Sequence, residues 1–346
     1  MWIKLLISII ACASTTALVM KLLAPIAVQI ALTDRPNARK EHVSNVPLVG
    51  GLSIVIGFFV GIIFVPSPMG EFRLLFFGIV ALIIVGMLDD HQDIKAGWKF
   101  LAQLAVASAL VWHDDLQISH IGKIWGESNQ GLGPLAVPLT VLAIVGAVNC
   151  VNMIDGHDGV AASLSIATLT AIALLVYRGG VESVSMIIWA FVTALSTFLV
   201  FNFQDSAGRV PKVFLGDAGS MVIGLFIAYF LVRFGGDSSP QLIKPVSAVW
   251  LIGVPLLDML SVMIIRLMRG RNLMTADRSH IHHILLKRGL SKSAVFGIIL
   301  GLQVVFVTVG ITINFTQIPE PWFFWLGLGI LASYIMTTAT LSRSRM

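Results

Sequence analysis

Apolar runs of a length that crosses a hydrocarbon core as a helix, about 17–25 residues, recur from one end of this chain to the other. Short polar connections separate them. Hydropathy predicts about eleven spans, at roughly 3–23, 47–65, 72–88, 98–113, 133–150, 159–176, 184–202, 216–234, 244–266, 294–314 and 321–341. The weakest is 98–113. Within each run the apolar residues surround the helix, as they do when a helix faces lipid and other helices. No repeat of 20–50 residues is visible. The expected fold is therefore all-α: a polytopic transmembrane helical bundle forming one integral-membrane domain over residues 1–346. Composition agrees. Hydrophobic residues make up 57% of the chain and charged residues 12%, against about 25% charged in a soluble domain. Lys4 and "ACAS" (11–14) resemble a signal peptide faintly, but with so many spans following they read as an uncleaved first helix.

Charge orients the bundle. With eleven spans, seventeen of the 23 Lys and Arg residues fall in connections on one side. The positive-inside rule makes that side cytoplasmic, with the N-terminus outside and the C-terminus inside. The net charge of +5 does not point to nucleic acid, because the basic residues are scattered and lack interleaved aromatics; a lipid bilayer explains them better. The two cysteines, Cys12 and Cys150, lie in apolar spans and suggest neither a disulfide framework nor a thiolate metal site.

The same map gathers five polar motifs on the predicted cytoplasmic side: "DRPNARKEH" (34–42), "DDHQD" (89–93), "NMIDGHDG" (152–159), "FLGDAGS" (214–220) and "RSHIHH" (278–283). Asp89 and Asp90 end an apolar run; a carboxylate pair there is costly unless solvated or metal-bound, and a solvated helix end near Lys95 is the plain alternative. Asp217 stands among small residues that let a backbone approach a phosphate, or it caps the next helix. Asp155 or Asp158 can likewise be a cap, yet with Asn149 and Asn152 they offer acceptors and amides for a sugar, a base or a hydrated metal. Five aspartates face Arg39, Lys40, His42, Arg278, His280, His282 and His283. Oxygen donors suit Mg²⁺ or Mn²⁺, and basic groups suit phosphate. The mixture fits metal-assisted chemistry on a diphosphate. Zinc at "HIHH" is the lesser alternative, since no cysteine is near. Asp258, within a predicted span after Pro255, either faces a cavity or pairs inside the bundle.

These stretches, in this order, resemble the polyprenyl-phosphate N-acetylhexosamine-1-phosphate transferase family. The matches are "DRPNARKEHVSNVPLVGG" (34–51), "GMLDDHQDI" (86–94), "NCVNMIDGHDGVAAS" (149–163), "VFLGDAGSMVIG" (213–224) and "DRSHIHHILLKRG" (277–289). The interrupted "HIHH" is more similar to the GlcNAc-1-phosphate branch than to the phospho-MurNAc-pentapeptide translocases, which carry three consecutive histidines. The resemblance implies attack of undecaprenyl phosphate on a UDP-N-acetylhexosamine at the bacterial cytoplasmic membrane, with Mg²⁺ or Mn²⁺ and release of UMP. It implies metal ligation by Asp217, Asp89 and Asp90. Asp89 and Asp90 would also position the substrate or act on the lipid phosphate. Asn152, Asp155 and Asp158 would line the nucleotide pocket, His280, His282 and His283 would meet the diphosphate or order the last cytoplasmic loop, and Lys40 and His42 would lie near the nucleotide. A homodimer is compatible with such a bundle. The competing class, a secondary transporter or lipid carrier, would place its polar groups near mid-membrane in paired repeats; the motifs here sit at span ends.

Overall fold

The computed structural model describes residues 2–34, 45–126, 128–204, 211–236, 241–272 and 280–343. Thirteen helices account for nearly all of the regular structure among them: α1 (Trp2–Gln29), α2 (Gly50–Ile62), α3 (Arg73–Gln92), α4 (Ala96–His113), α5 (Ala136–Ile154), α6 (Val160–Arg178), α7 (Glu182–Asn202), α8 (Gly216–Gly235), α9 (Pro245–Leu251), α10 (Gly253–Met268), α11 (Ile281–Lys287), α12 (Lys292–Phe315) and α13 (Glu320–Arg343). The all-α expectation needs one correction. Thr33–Asp34 (β1) pairs antiparallel with Val46–Pro47 (β2), a two-residue ladder too short to leave an alternating pattern in the sequence.

Each predicted span holds a helix, but the count is coarser than eleven. Among the described residues eight helices are long and apolar enough to cross a membrane, nine if the bent pair α9–α10 counts as one span. The 13 residues of α2 rise only about 20 Å, short of a core about 30 Å thick. The 18-residue α4 carries Lys99 and Gln103 and is not among the helices apolar enough to count as a span.

Packing follows composition. In α8, 94% of the apolar window is buried, and the helix packs on α2, α3, α5 and α6. Phe226 of α8 stacks on Phe191 of α7 at 4.0 Å, and Phe58 of α2 meets both edge-on. At the periphery, α13 buries only 6% of its window, which suits a helix against lipid.

The break between α9 and α10 bends the chain by 83°. Pro255 is the third residue of α10, where a missing N–H leaves no intrahelical bond unmade. Gln303 of α12 satisfies the groups the break frees: its Oε1 accepts from the Val254 N–H (3.0 Å), and its Nε2 donates to the Leu251 carbonyl (2.8 Å). Irregular backbone at membrane depth is tolerated where protein supplies such partners.

Candidate functional site

The site assembles at the start of α8. The carbonyls of Phe214 and Leu215 accept the first N–H groups of α2, those of Gly50 and Gly51, at 3.0 Å each. The chain then turns through Gly216, at φ +74°, into α8. The cap of α8 comes from a distant residue. Asp90, at the end of α3, accepts the N–H of Asp217 on Oδ1 (2.9 Å) and that of Ala218 on Oδ2 (3.3 Å). A carboxylate suits the positive end of a helix. Asp90, expected as a metal ligand, thus has both oxygens engaged in holding α8 against α3. Asp217 is not the cap; it lies in the first turn of α8, and no side-chain cap is made at Leu215. Nor does Asp155 or Asp158 cap α6, whose N-cap is Gly159.

A Cβ on Gly216 would lie 2.5 Å from Asp90 Oδ2 in a left-handed conformation that costs an L-residue about 1–2 kcal/mol. Gly216→Ala is therefore expected to lower the melting temperature in detergent and reduce turnover about tenfold or more, by displacing Asp90. Unchanged melting and turnover would show that Asp90 does not set the start of α8.

Beside this cap, the ammonium of Lys99, near the start of α4, bridges Asp89 Oδ2 (2.7 Å) and Asp217 Oδ2 (2.9 Å). Lys99, not Lys95, is the cation that meets the acidic pair. The Asp89 and Asp217 carboxylates thus meet at one ammonium, and Asp89 Oδ1 is buried without a hydrogen-bond partner among the described residues. Asn152 of α5 donates to Ser220 Oγ of α8 at 2.8 Å, tying the "NMIDG" turn to the same helix. Asp155 follows at the end of α5. Desolvation, then the charges of Asp217, Asp90 and Asp158, hold its carboxyl well above the usual range. Asp158 is ion-paired with Lys212.

The histidines arrive from α11. A Cβ on Gly156 would lie 2.5 Å from His282 Nε2, so the glycine lets the two turns meet. His282 is 1% exposed, and neither ring nitrogen has a hydrogen-bond partner among the described residues. Burial, then the charge of neighbouring His283, pushes its pKa down to about 3; the ring is neutral at physiological pH, with one donor and one acceptor. His283 packs 4.1 Å from it, and the His280 ring lies parallel to it at 5.8 Å.

All the described candidates therefore converge: Asp89, Asp90, Asn152, Asp155, Asp158, Asp217, His280, His282 and His283. Lys40, His42, Arg39 and Arg278 lie outside the described residues. Lys99 and Lys212 are additions that the reading of the motifs did not single out.

A cavity of about 1200 Å³ opens beside the cluster. Lys99, Asn152, Asp155 and the three histidines line it together with Gln103, Asn149 and Arg266; Ile118, Leu139, Ile252 and Met263 are among the more numerous apolar residues of its wall. The oxygen-rich cluster fits a hard divalent cation. Asp89 and Asp217 press two carboxylates together, one oxygen is unpartnered, and Lys99 contributes a single positive charge between them. Among the described residues no three His, Cys, Asp or Glu side chains form a complete metal cage. Mg²⁺ does not require one, since it commonly takes one or two carboxylates and completes its shell with water and substrate phosphates.

Comparison with known proteins agrees with this geometry. The profile of glycosyl transferase family 4 matches residues 72–235, which include Asp89, Asp90, Asn152, Asp155, Asp158 and Asp217. The undecaprenyl-phosphate alpha-N-acetylglucosaminyl 1-phosphate transferase of Escherichia coli (strain K12) is 33% identical over 300 residues, covering 86% of this chain and 80% of that protein. The enzyme of that name from Yersinia pestis is 33% identical over 296 residues, 85% of this chain and 80% of its own. That of Haemophilus influenzae is 32% identical over 311 residues, 89% and 86%. Similarity of this extent, running through the acidic helix ends and on to the histidine turn, makes the chain a member of glycosyl transferase family 4.

Proposed function

We propose that the protein transfers N-acetylglucosamine-1-phosphate from UDP-GlcNAc to undecaprenyl phosphate, giving undecaprenyl-diphosphate-GlcNAc and UMP, the first step in building a cell-surface polysaccharide. One observation carries the reading: a cluster of carboxylates, a lysine and imidazoles stands beside a large, mostly apolar cavity, with Lys99, Asp155 and the imidazoles on its wall. Such a site takes a substrate that is lipid at one end and phosphate at the other. The names of the relatives supply the acceptor and the sugar. In this reading the cluster faces the cytoplasm at a bacterial inner membrane, where a soluble nucleotide sugar reaches it; the basic residues gathered in the connections that carry the polar motifs support that orientation.

In the transfer, an oxygen of the lipid phosphate forms a bond to the β-phosphorus of the nucleotide sugar. The bond from that phosphorus to the bridging oxygen breaks, and UMP leaves with the oxygen. The lipid phosphate, with a second pKa of about 6, is already largely ionised at neutral pH. The site's main task is therefore to align two anions and offset their repulsion. Lys99 does so from the cavity wall, and Asp90 fixes the start of α8 so that Asp217 stands beside Lys99. Asn152, Asp155 and Asp158 form the nucleotide side of the pocket. His280, His282 and His283 form the diphosphate side, where neutral His282 donates one N–H. Asp89 and Asp217 would hold Mg²⁺ or Mn²⁺, which when bound neutralises phosphate charge.

The test is direct. Purified protein in detergent, given undecaprenyl phosphate, UDP-GlcNAc and Mg²⁺, is expected to release UMP and to form a lipid-diphosphate-GlcNAc detectable by mass spectrometry. Both products should vanish with EDTA and return with excess Mg²⁺ or Mn²⁺. Product only with a different UDP-acetamido sugar would replace the donor. No product from folded protein with any of them would overturn the reading.

A further inference from the structure

Asp258 belongs to none of the groups assigned to the reaction so far. It lies in α10, just beyond the break, with its side chain 2% exposed. A carboxylate buried at membrane depth needs a full set of partners, and this one has three. Its Oδ2 is 2.7 Å from His280 Nδ1. Its Oδ1 accepts the N–H of Ile281 at 2.9 Å and the hydroxyl of Tyr334 at 3.0 Å. The partners come from the residue before α11, the first residue of α11, and α13.

Two consequences follow from the donor inventory. A carboxylate only accepts, so Nδ1 of His280 carries the proton and Nε2 is the ring atom left for the cavity that His280 lines. The Ile281 N–H is one of the unpaired donors at the start of α11, and the N-cap residue His280 makes no side-chain cap there. Asp258 caps α11 from another helix, as Asp90 caps α8. The carboxylate therefore fixes both the ring of His280 and the starting point of the helix that carries His282 and His283.

We propose that Asp258 is a positioning residue for the transfer, which sets the orientation and Nδ1–H state of His280 and so presents the histidine edge to the donor diphosphate. Nε2 is thereby held at a fixed place on the cavity wall, and His282 and His283 follow from the fixed start of α11. The inference rests on the reading that the histidines face the donor's phosphates.

The experiment is a double-mutant cycle on kcat/KM for UDP-GlcNAc, with KM for undecaprenyl phosphate measured in parallel. Asp258→Asn is expected to lower kcat/KM for the nucleotide sugar on the order of 100-fold, the size of loss that a misplacement of about 1 Å produces. KM for the lipid should not move. Tyr334→Phe, which removes one donor of three, is expected to cost about fivefold, the worth of one hydrogen bond. In a His280→Ala background the Asp258→Asn effect should nearly disappear, because the group being positioned is gone. Equal loss in both backgrounds, or a loss of active protein with both KM values unchanged, would mean that Asp258 only holds the fold and would overturn the proposal. Normal kinetics for Asp258→Asn beside an impaired His280→Ala would overturn it too. A silent His280→Ala would instead refute the assignment of the histidines to the diphosphate. Should Asp258→Asn fail to fold, Tyr334→Phe carries the same cycle: its effect must likewise vanish with His280→Ala.

Discussion

Asp217→Asn is expected to reduce UMP release more than about 1000-fold while the protein still inserts and melts within a few degrees of the parent. The magnitude is that of losing a principal charge-stabilising group in a preorganised site. The substitution is nearly isosteric. Asp217 contributes its backbone N–H, not its side chain, to the cap made by Asp90, so the start of α8 keeps its geometry. The loss is one negative charge at the point where Lys99 and Asp89 meet. A neutral amide binds Mg²⁺ poorly, and raising Mg²⁺ should recover little of the lost rate. The checks are initial rates across a Mg²⁺ series and a melting curve in the same detergent. Turnover above about a tenth of the parent's, from a folded variant, would remove Asp217 from the reacting centre.

The contrast between Asp217 and Asp90 marks how far the sequence could be read. Carboxylates are expensive beside apolar spans, so each acidic motif stood out against its background, and their convergence was legible. Their division of labour was not. Asp90 caps a helix that begins more than a hundred residues later, and no local pattern records such a partner. Local capping was the plain alternative for Asp155, Asp158 and Asp217, and none of the three makes a side-chain cap. Lys99 went unnoticed because a lysine near the start of a span reads as a residue that snorkels to the interface. A signal was present: Lys99 and Gln103 fall one turn apart on the same face of the weakest span, and Gln103 is buried.

The fold shows the same division. Helices followed from apolar runs because each run can satisfy its own backbone. The break at Ile252 did not, since its stability depends on Gln303, some fifty residues away, supplying a donor and an acceptor at once. The Asp258 clamp is likewise a product of tertiary structure; its partners lie 22, 23 and 76 residues along the chain. Polarity in an apolar background predicts that a group has a task. Only the packed bundle shows what it touches.

Lys99→Met is the second substitution expected to be severe, with kcat falling about 100- to 1000-fold, the range for removal of one preorganised donor. Methionine fills most of the volume, so the effect is one of charge. Without the ammonium, Asp89 and Asp217 lose the cation that bridges them, and of the Lys and Arg side chains lining the cavity, Lys99 and Arg266, the one that meets these carboxylates is gone. Apparent metal affinity should change in the opposite direction to turnover. A cation that competes for the same carboxylates has been removed, so the Mg²⁺ concentration giving half-maximal rate should fall even as the maximal rate drops. A helper that only neutralised the acids in the resting protein would behave differently: Mg²⁺ would replace it, and turnover would survive. Lys99→Arg adds a further constraint. It restores the charge, but a planar guanidinium presents its donors in a rigid fork unlike the compact ammonium, so it should regain metal competition more fully than turnover. Measuring kcat and half-saturating Mg²⁺ for both variants separates charge from geometry. Parent-like turnover in Lys99→Met would assign phosphate alignment to the imidazoles of α11 instead.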